Sequence, residues 1–173
     1  MLNLDALANW ESAVLASISG AKGTIDERDA QITRSGMYAE YPAIVSAYIE
    51  LFGSEQPENK LEALKRAVFL VWHSFNALSV DSGISELPET AVRTTMEFLE
   101  RQLARNEGDE ELRAMLAWYR DTFSYPFEYF GPVRSLELFI RDVTSDEARA
   151  TLAQSRFAGR GQLGLYWSSI LGN

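Results

Sequence analysis

The chain contains one histidine, His73, and no cysteine, which limits the chemistry that its side chains can perform. Hydrolytic zinc sites and di-iron sites need several histidines or cysteines, so these classes of metalloenzyme are excluded. A serine triad would need a nucleophile elbow, and no G-x-S-x-G sequence is present. His73 lies in the most apolar segment, which favours a hydrogen-bonded structural histidine over the alternative of a catalytic or haem-binding one.

The segment Gly159–Gly164 matches the letters of the dinucleotide-binding pattern G-x-G-x-x-G. That pattern binds a pyrophosphate only inside a βαβ unit, and no strand is predicted before it. The glycines are therefore expected to form a tight turn ahead of a final helix. Arg160 in this turn carries a guanidinium able to make two bonds to a carboxylate, either from elsewhere in the fold or from a partner.

Two further groups of residues have types suited to binding. Asp109, Glu110 and Glu111 have the ligand atoms for Mg²⁺, but adjacent helix positions do not converge on one point, which favours a solvated helix start. The large aromatic side chains are expected mainly in the core, with one or two lining a pocket or anchoring an interface. We predict no catalytic residue, cofactor or metal ligand, and six candidates for contact with a ligand or partner: Trp72, His73, Asp109, Tyr119, Arg160 and Trp167.

The spacing of apolar residues predicts helices along the whole chain. Leu7, Val14 and Ile18 recur at helical intervals, and no sustained alternation typical of a strand is found. The segment from Leu61 to Leu78 is apolar on most sides, which is typical of a central helix. The two helices on either side of the short turn Asn106–Asp109 are expected to pack as an antiparallel pair.

Several residues mark where these helices begin and end. Thr24 and Thr144 each precede a glutamate by three positions, which predicts a capping box, and Asp109 is a favourable N-cap. Tyr41-Pro42 is expected to break one helix, and Asp81-Ser82-Gly83 to end the central one. The aromatic run Tyr125–Pro132 is expected to form a bend whose rings close one end of the core.

Size and composition fit one ordinary domain. The 173 residues are 46% hydrophobic and 24% charged, and no repeat, low-complexity tract or linker divides them. We therefore predict that residues 1–173 form a single all-α domain, a compact bundle of seven to nine helices.

The charge distribution indicates what kind of partner the chain would bind. Between Asp81 and Gly131 five basic residues oppose eleven acidic ones, a balance of −6 within a total of −9. This argues against nucleic acid and favours a basic partner, although many acidic proteins carry such charge only for solubility. The longest apolar run, Ala67–Trp72, is too short to span a membrane, and the first residues lack the basic start of a secretory signal, which predicts a cytoplasmic protein.

Three stretches together resemble a known group of proteins: Phe69–His73 leading to Ser82-Gly83-Ile84, Asp109–Tyr119 and Gly159–Trp167. They are similar to small all-helical bacterial proteins of unknown function, some of which are similar to immunity proteins that neutralise polymorphic or contact-delivered toxins. The resemblance implies a binding protein with no cofactor and no turnover. It brings no catalytic residues with it.

Three functions are consistent with these observations. The first is a non-catalytic domain that binds a basic protein, such as a toxin domain, guided by the acidic segment Asp81–Glu111. The second is a small-molecule-binding protein or enzyme with a cleft between helices, which requires His73, Tyr119 and Arg160 to converge on one cavity. The third is self-association through an exposed aromatic patch. We rank the first highest, because the residues that usually perform catalysis are missing.

Overall fold

Helices are the only regular elements in residues 3–131 and 133–172, the part of the chain that this computed structural model describes. This confirms the all-α prediction. Two short 3-10 turns lie at Met37–Ala39 and Leu51–Gly53. The α-helices of the described part are α1 (Leu4–Ser19), α2 (Ile25–Ser35), α3 (Glu40–Glu50), α4 (Pro57–Asn76), α5 (Ser79–Ser82), α6 (Glu89–Ala104), α7 (Glu110–Thr122), α8 (Tyr125–Phe130), α9 (Val133–Ile140), α10 (Ser145–Leu152) and α11 (Gly161–Leu171).

The predicted number of seven to nine helices is too low, because the predicted end of the central helix is a separate short helix and a second short helix forms inside the predicted bend. The central helix α4 already ends at Asn76, and the separate helix α5 follows it and ends at Gly83, which has a left-handed φ of 75°. The helix α8 forms inside the predicted bend, with Pro126 in its first turn, where the missing N–H leaves no helical hydrogen bond unmade. Pro132, the last residue of that bend, lies outside the described residues.

The predicted helix starts are confirmed, whereas one predicted break is misplaced. Thr24 and Thr144 form complete capping boxes, and the Asp109 side chain accepts the backbone N–H three residues further on at 2.8 Å. The break between α2 and α3 is at Gly36, whose φ is also 75°. Pro42 lies inside the first turn of α3 instead, where backbone N–H groups have no partner within the helix.

The helix α4 passes through the centre of the fold, as predicted. Its residues from Ala63 to Trp72 are buried without interruption, and it packs against α1, α3, α6, α8 and α11. The buried stretch includes two charged residues, Lys65 and Arg66. Because an unpaired charge is very unfavourable in a protein interior, these side chains need acidic partners nearby.

The helices α6 and α7 do not pair as predicted. The helix α7 makes more backbone contacts with α10 than with any other helix, and α6 makes the most with α4. The short helix α9 contacts both α6 and α7. The antiparallel arrangement expected from the short turn is therefore not the main contact of either helix. The start of α7 is instead tied to α4 through ion pairs that Asp109 and Glu111 make with Lys65.

Candidate functional site

Three of the six predicted contact residues form a stack in the centre of the fold. Trp72 of α4 lies on the ring of Tyr119 of α7, with ring centroids 4.4 Å apart. Trp167 of α11 donates its indole N–H to the Tyr119 hydroxyl at 3.2 Å, and Trp72 donates its own to the carbonyl oxygen of Phe123 at 2.9 Å. All three side chains are at most 1% exposed. They join α4, α7 and α11, and a ligand in solvent does not reach them.

Arg160 and Asp109 belong to a continuous series of ion pairs between α4 and the starts of α7 and α11. The guanidinium of Arg160 bonds both carboxylate oxygens of Glu62, with distances of 2.7 and 2.5 Å, and one oxygen of Glu111 at 2.8 Å. The ammonium of Lys65 lies 2.6 Å from Asp109 and 2.8 Å from Glu111. The carboxylates that Arg160 binds thus come from the fold itself.

Contacts within this series shift the pKa values of Glu111 and Arg160. Burial alone would raise the pKa of Glu111, but the hydrogen bonds and charges of Arg160 and Lys65 outweigh it and lower that pKa to about 2. Burial disfavours the charged form of Arg160, yet its bonds to Glu111 and Glu62 hold the pKa of the guanidinium above its ordinary value. Glu111 and Arg160 therefore both stay charged across the physiological range, and the bonds of Arg160 join α4, α7 and α11.

His73 packs against aromatic rings at the edge of this core. Its imidazole stacks on Phe69, with ring centroids 4.9 Å apart, and meets the edge of Tyr166 at 5.9 Å. Its Nδ1 is buried and has no hydrogen-bond partner in the described part of the chain, so the prediction of a hydrogen-bonded histidine fails at that nitrogen. His73 lines a shallow groove of about 410 Å³, but neither Tyr119 nor Arg160 does. The three residues required by the cleft hypothesis do not meet in this groove.

The lone imidazole is expected to stay neutral down to mildly acidic pH. Burial lowers the pKa of His73 to about 4, against a weaker opposing effect of the nearby Asn76 side chain. In a proton NMR titration, the single histidine ring should therefore show no change in chemical shift from pH 8 to pH 5. The same titration in urea provides the control, since the unfolded chain should show the ordinary value. A folded-state midpoint near 6.5 would contradict the packing described for this ring.

A buried carboxyl group that the sequence analysis did not identify lies between α1, α3 and α11. Glu11 is 1% exposed; one oxygen accepts the Tyr48 hydroxyl at 2.5 Å and the other accepts the backbone N–H of Gln162 at 2.8 Å. Gly161 has a φ of 60°, and a Cβ at this position would lie 2.5 Å from the carboxyl group of Glu11, so the close approach requires glycine. Burial raises the pKa of Glu11 to about 7, although Tyr48, Gln162 and the charge of Arg66 oppose the shift.

The surroundings of Glu11 form a fully bonded polar cluster inside the core. The side-chain amide of Gln162 donates to the Tyr41 hydroxyl and to the carbonyl oxygen of Ser82, the latter at 2.5 Å. Burial raises the pKa of both Tyr41 and Tyr48, so these phenols stay protonated. The sequence did carry one signal for this cluster: Glu11 stands four positions after Leu7, in the middle of the apolar stripe of α1.

The most exposed group of large apolar side chains lies elsewhere, on what we call the aromatic face, formed by Phe75, Tyr125, Tyr129 and Phe130. The four rings contact one another in series, with centroid distances from 4.6 to 5.8 Å. Phe75 is 37%, Tyr125 46% and Tyr129 64% exposed. The prediction that this aromatic run closes the core therefore holds for Phe127, which is buried, and is wrong for the two tyrosines.

Next to this face lies an open depression of about 700 Å³, which we call the acidic groove. Its apolar walls are formed by Phe75, Phe130, Leu87 and Val92, and it also contains Ser74, Ser79, Ser85 and Pro88. Among the lining residues that the structure describes, the charged ones are Glu86 and Glu89, and none is a lysine or an arginine.

Further charges around the aromatic face are mainly acidic. Glu97 and Glu128 are exposed, and Glu100 lies with Glu97 in a second depression on the other side of Phe130. Two arginines lie here as well: Arg101, which lies over the ring of Phe98, and Arg93, which lies over the ring of Phe130. The residues named here, on the two depressions and on α8, are five glutamates and two arginines.

Two further features of the described residues concern metal binding and the ability to cross a membrane. Within residues 3–131 and 133–172, no three histidine, cysteine, aspartate or glutamate side chains are grouped so that they could hold a metal ion. None of the helices described above is long and apolar enough to cross a membrane.

Comparison with known proteins identifies no relative of this chain. It matches no protein-family model, and no curated protein or solved structure is significantly similar to it. The resemblance to immunity proteins therefore stays a prediction. The aromatic face and the acidic groove are the features of the fold that suggest a function.

Proposed function

We propose that this chain is a non-catalytic binding domain that recognises a basic protein through the aromatic face and the acidic groove, in the manner that the resemblance to toxin-immunity proteins implies. The observation that carries the proposal is the series of four contacting rings beside a groove whose charged lining, within residues 3–131 and 133–172, consists of two glutamates. Of the six residues chosen from the sequence, Trp72, Tyr119 and Trp167 are buried and Asp109 and Arg160 are paired within the fold. None of these five is part of the proposed surface.

The composition of this surface is that of a protein interface. Tyrosine and phenylalanine are enriched at interfaces, where a few well-placed aromatic anchors provide most of the binding energy. The surrounding carboxylates supply the complementary charge that selects a basic partner and speeds its approach. An open depression with two carboxylates at the edge is also the shape that accepts a protruding side chain of a partner.

Binding is expected to depend on both components of the surface. A display library of genome fragments from the source organism, selected on the purified chain, should yield basic segments. Tyr129→Ser and Glu86→Lys should each weaken binding of those segments by about tenfold or more. Binding should also weaken as the salt concentration rises from about 50 mM to about 500 mM. Isothermal titration calorimetry of the selected segments measures each effect.

A matched control is available at Leu138, which is 54% exposed on α9 outside the aromatic face. Leu138→Ser removes a similar exposed apolar side chain and should leave the affinity unchanged. The proposal is overturned if the selected segments are not basic, or if they bind Tyr129→Ser as well as the parent chain. It is also overturned if light scattering shows a dimer that Tyr129→Ser converts to a monomer, because the face would then bind a second copy.

A further inference from the structure

We infer that the acidic groove is a binding site for an arginine side chain of the protein partner, held against the rings of Phe75 and Phe130 and paired with Glu86. This inference rests on the proposed function, because the arginine belongs to the basic protein that the domain recognises. It adds the chemical identity of the group that enters the groove.

The aromatic walls of the groove give a flat cation a surface on which to lie, because the two rings contact each other and leave no gap between them. The ring centroids of Phe75 and Phe130 are 5.8 Å apart, with their planes tilted by 40°, so both rings line one depression. A guanidinium within about 6 Å of a ring centroid is attracted by the negative charge of the ring face. Glu86 is exposed at the same depression and forms no ion pair with a residue in the described part of the chain.

The chain itself already carries an arginine arranged in this way. The guanidinium of Arg93 lies over the ring of Phe130, 5.6 Å from its centroid, while its Nε bonds Glu89 at 2.7 Å. Both partners of this ion pair are more than half exposed, so the pair is weak and can be displaced. A carboxylate beside the ring of Phe130 thus demonstrably accommodates a guanidinium, and Glu86 offers a second carboxylate at the same groove.

Arginine fits this site better than lysine for two reasons. Its planar guanidinium stacks on an aromatic ring and makes two parallel bonds to a carboxylate, whereas an ammonium is a compact, strongly hydrated charge. The remaining polar groups of the groove are the hydroxyls of Ser74, Ser79 and Ser85, and that of Ser74 is already donated to the carbonyl oxygen of Val71. The groove therefore offers acceptors and ring faces to the donors of an arginine.

The test uses Nα-acetyl-arginine amide as the probe and the backbone amide resonances of the groove as the readout. In two-dimensional NMR spectra, the probe should shift the resonances of Ser79, Ser85 and Glu86 at concentrations up to about 50 mM. The neutral isostere Nα-acetyl-citrulline amide should bind about tenfold more weakly, and the lysine analogue should fall between the two. Glu86→Gln should weaken binding of the arginine probe, whereas the exposed Glu128→Gln outside the groove should not.

One variant is expected to bind more tightly, which separates a specific effect from a damaged fold. Arg93→Ala removes the internal arginine that occupies Phe130 and Glu89, so the affinity for the arginine probe should rise severalfold. The inference is overturned if the groove resonances do not shift, or if citrulline binds as well as arginine. If the probe binds as described but no basic protein does, the proposed function fails and the arginine site stands. If a basic segment binds equally well after its arginines are replaced by citrulline, the arginine site fails and the proposed function stands.

Discussion

Replacing Glu11 with glutamine is expected to remove about 3 kcal/mol of pH dependence from the stability of the fold between pH 4.5 and pH 8. In the parent chain, burial raises the pKa of Glu11 from 4.5 to about 7 in the folded state. The unfolded chain titrates near its ordinary value, so between these two pKa values the folded state binds a proton that the unfolded state has released. The free energy of unfolding therefore falls as the pH rises through this window.

The direction of this pH dependence follows from the form of the carboxyl group that the folded state prefers. The stabilising contribution of protonated Glu11 is fully present below pH 4.5 and is lost as the pH rises through 7. Tyr48, the backbone N–H of Gln162 and the charge of Arg66 favour the carboxylate, but the loss of solvation outweighs them. Glutamine has nearly the same shape and no charge, so Glu11→Gln lacks this dependence, although it gives up one of the two hydrogen bonds that the carboxyl group accepts.

Urea unfolding followed by tryptophan fluorescence, repeated across this pH range, measures the effect. Other carboxyl groups also titrate at the acidic end, so the informative quantity is the difference between the two proteins at each pH. Glu50→Gln is a matched control, because Glu50 is an exposed carboxylate on α3, the helix that carries Tyr48. Its curve should run parallel to that of the parent chain. A constant difference between Glu11→Gln and the parent chain at every pH would contradict the raised pKa of Glu11.

The helical fold could be predicted from the sequence because helix formation is governed by local patterns. Thr24, Thr144 and Asp109 mark helix starts through bonds to residues three positions away, and all three are confirmed. The short helices α5 and α8 were not predicted, because six or fewer residues show no periodicity. The neighbours of α7 were mispredicted because helix pairing depends on contacts between distant residues, such as that of Lys65 with Glu111.

The candidate site was harder to predict from the sequence than the fold. Residue type alone singled out Trp72, Tyr119 and Trp167, and large aromatic side chains are most often used to fill the core, which is where these lie. Glu11 does interrupt the apolar stripe of α1, but the partners of Glu11 and Glu62 lie about a hundred or more positions away, at Gln162 and Arg160, where no local pattern points to them. Tyr125, Tyr129 and Phe130 of the aromatic face belong to a recognised aromatic run, but Phe75 does not, and which rings point outward is decided by the packing of α8 on α4 and α6.

Replacing Arg160 with alanine is expected to destabilise the fold by about 3 kcal/mol, because it breaks the buried ion-pair series at its centre. Arg160 is 8% exposed and contributes three of the bonds that join α4, α7 and α11. Its removal leaves Glu62 with Arg66 and Glu111 with Lys65, so each carboxylate keeps one cation and the loss stays at the lower end of the range for buried pairs. Arg160→Lys should recover only part of the stability, since an ammonium cannot bond both oxygens of Glu62 and reach Glu111 as well.

The matched control for this prediction is Arg93→Ala, which breaks the exposed pair with Glu89. Its side chain is 53% exposed and that of Glu89 is 66% exposed, so solvent screens the interaction and the loss should be about 0.5 kcal/mol or less. Urea unfolding at low and high salt distinguishes the two cases further, because salt screens exposed charges far more than buried ones. Equal losses for Arg160→Ala and Arg93→Ala would show that the series does not hold the three helices together. A large loss for Arg160→Ala that is insensitive to salt would identify Gly159–Gly161 at the start of α11, which only look like part of a nucleotide-binding motif, as the segment that fastens α11 to the rest of the fold.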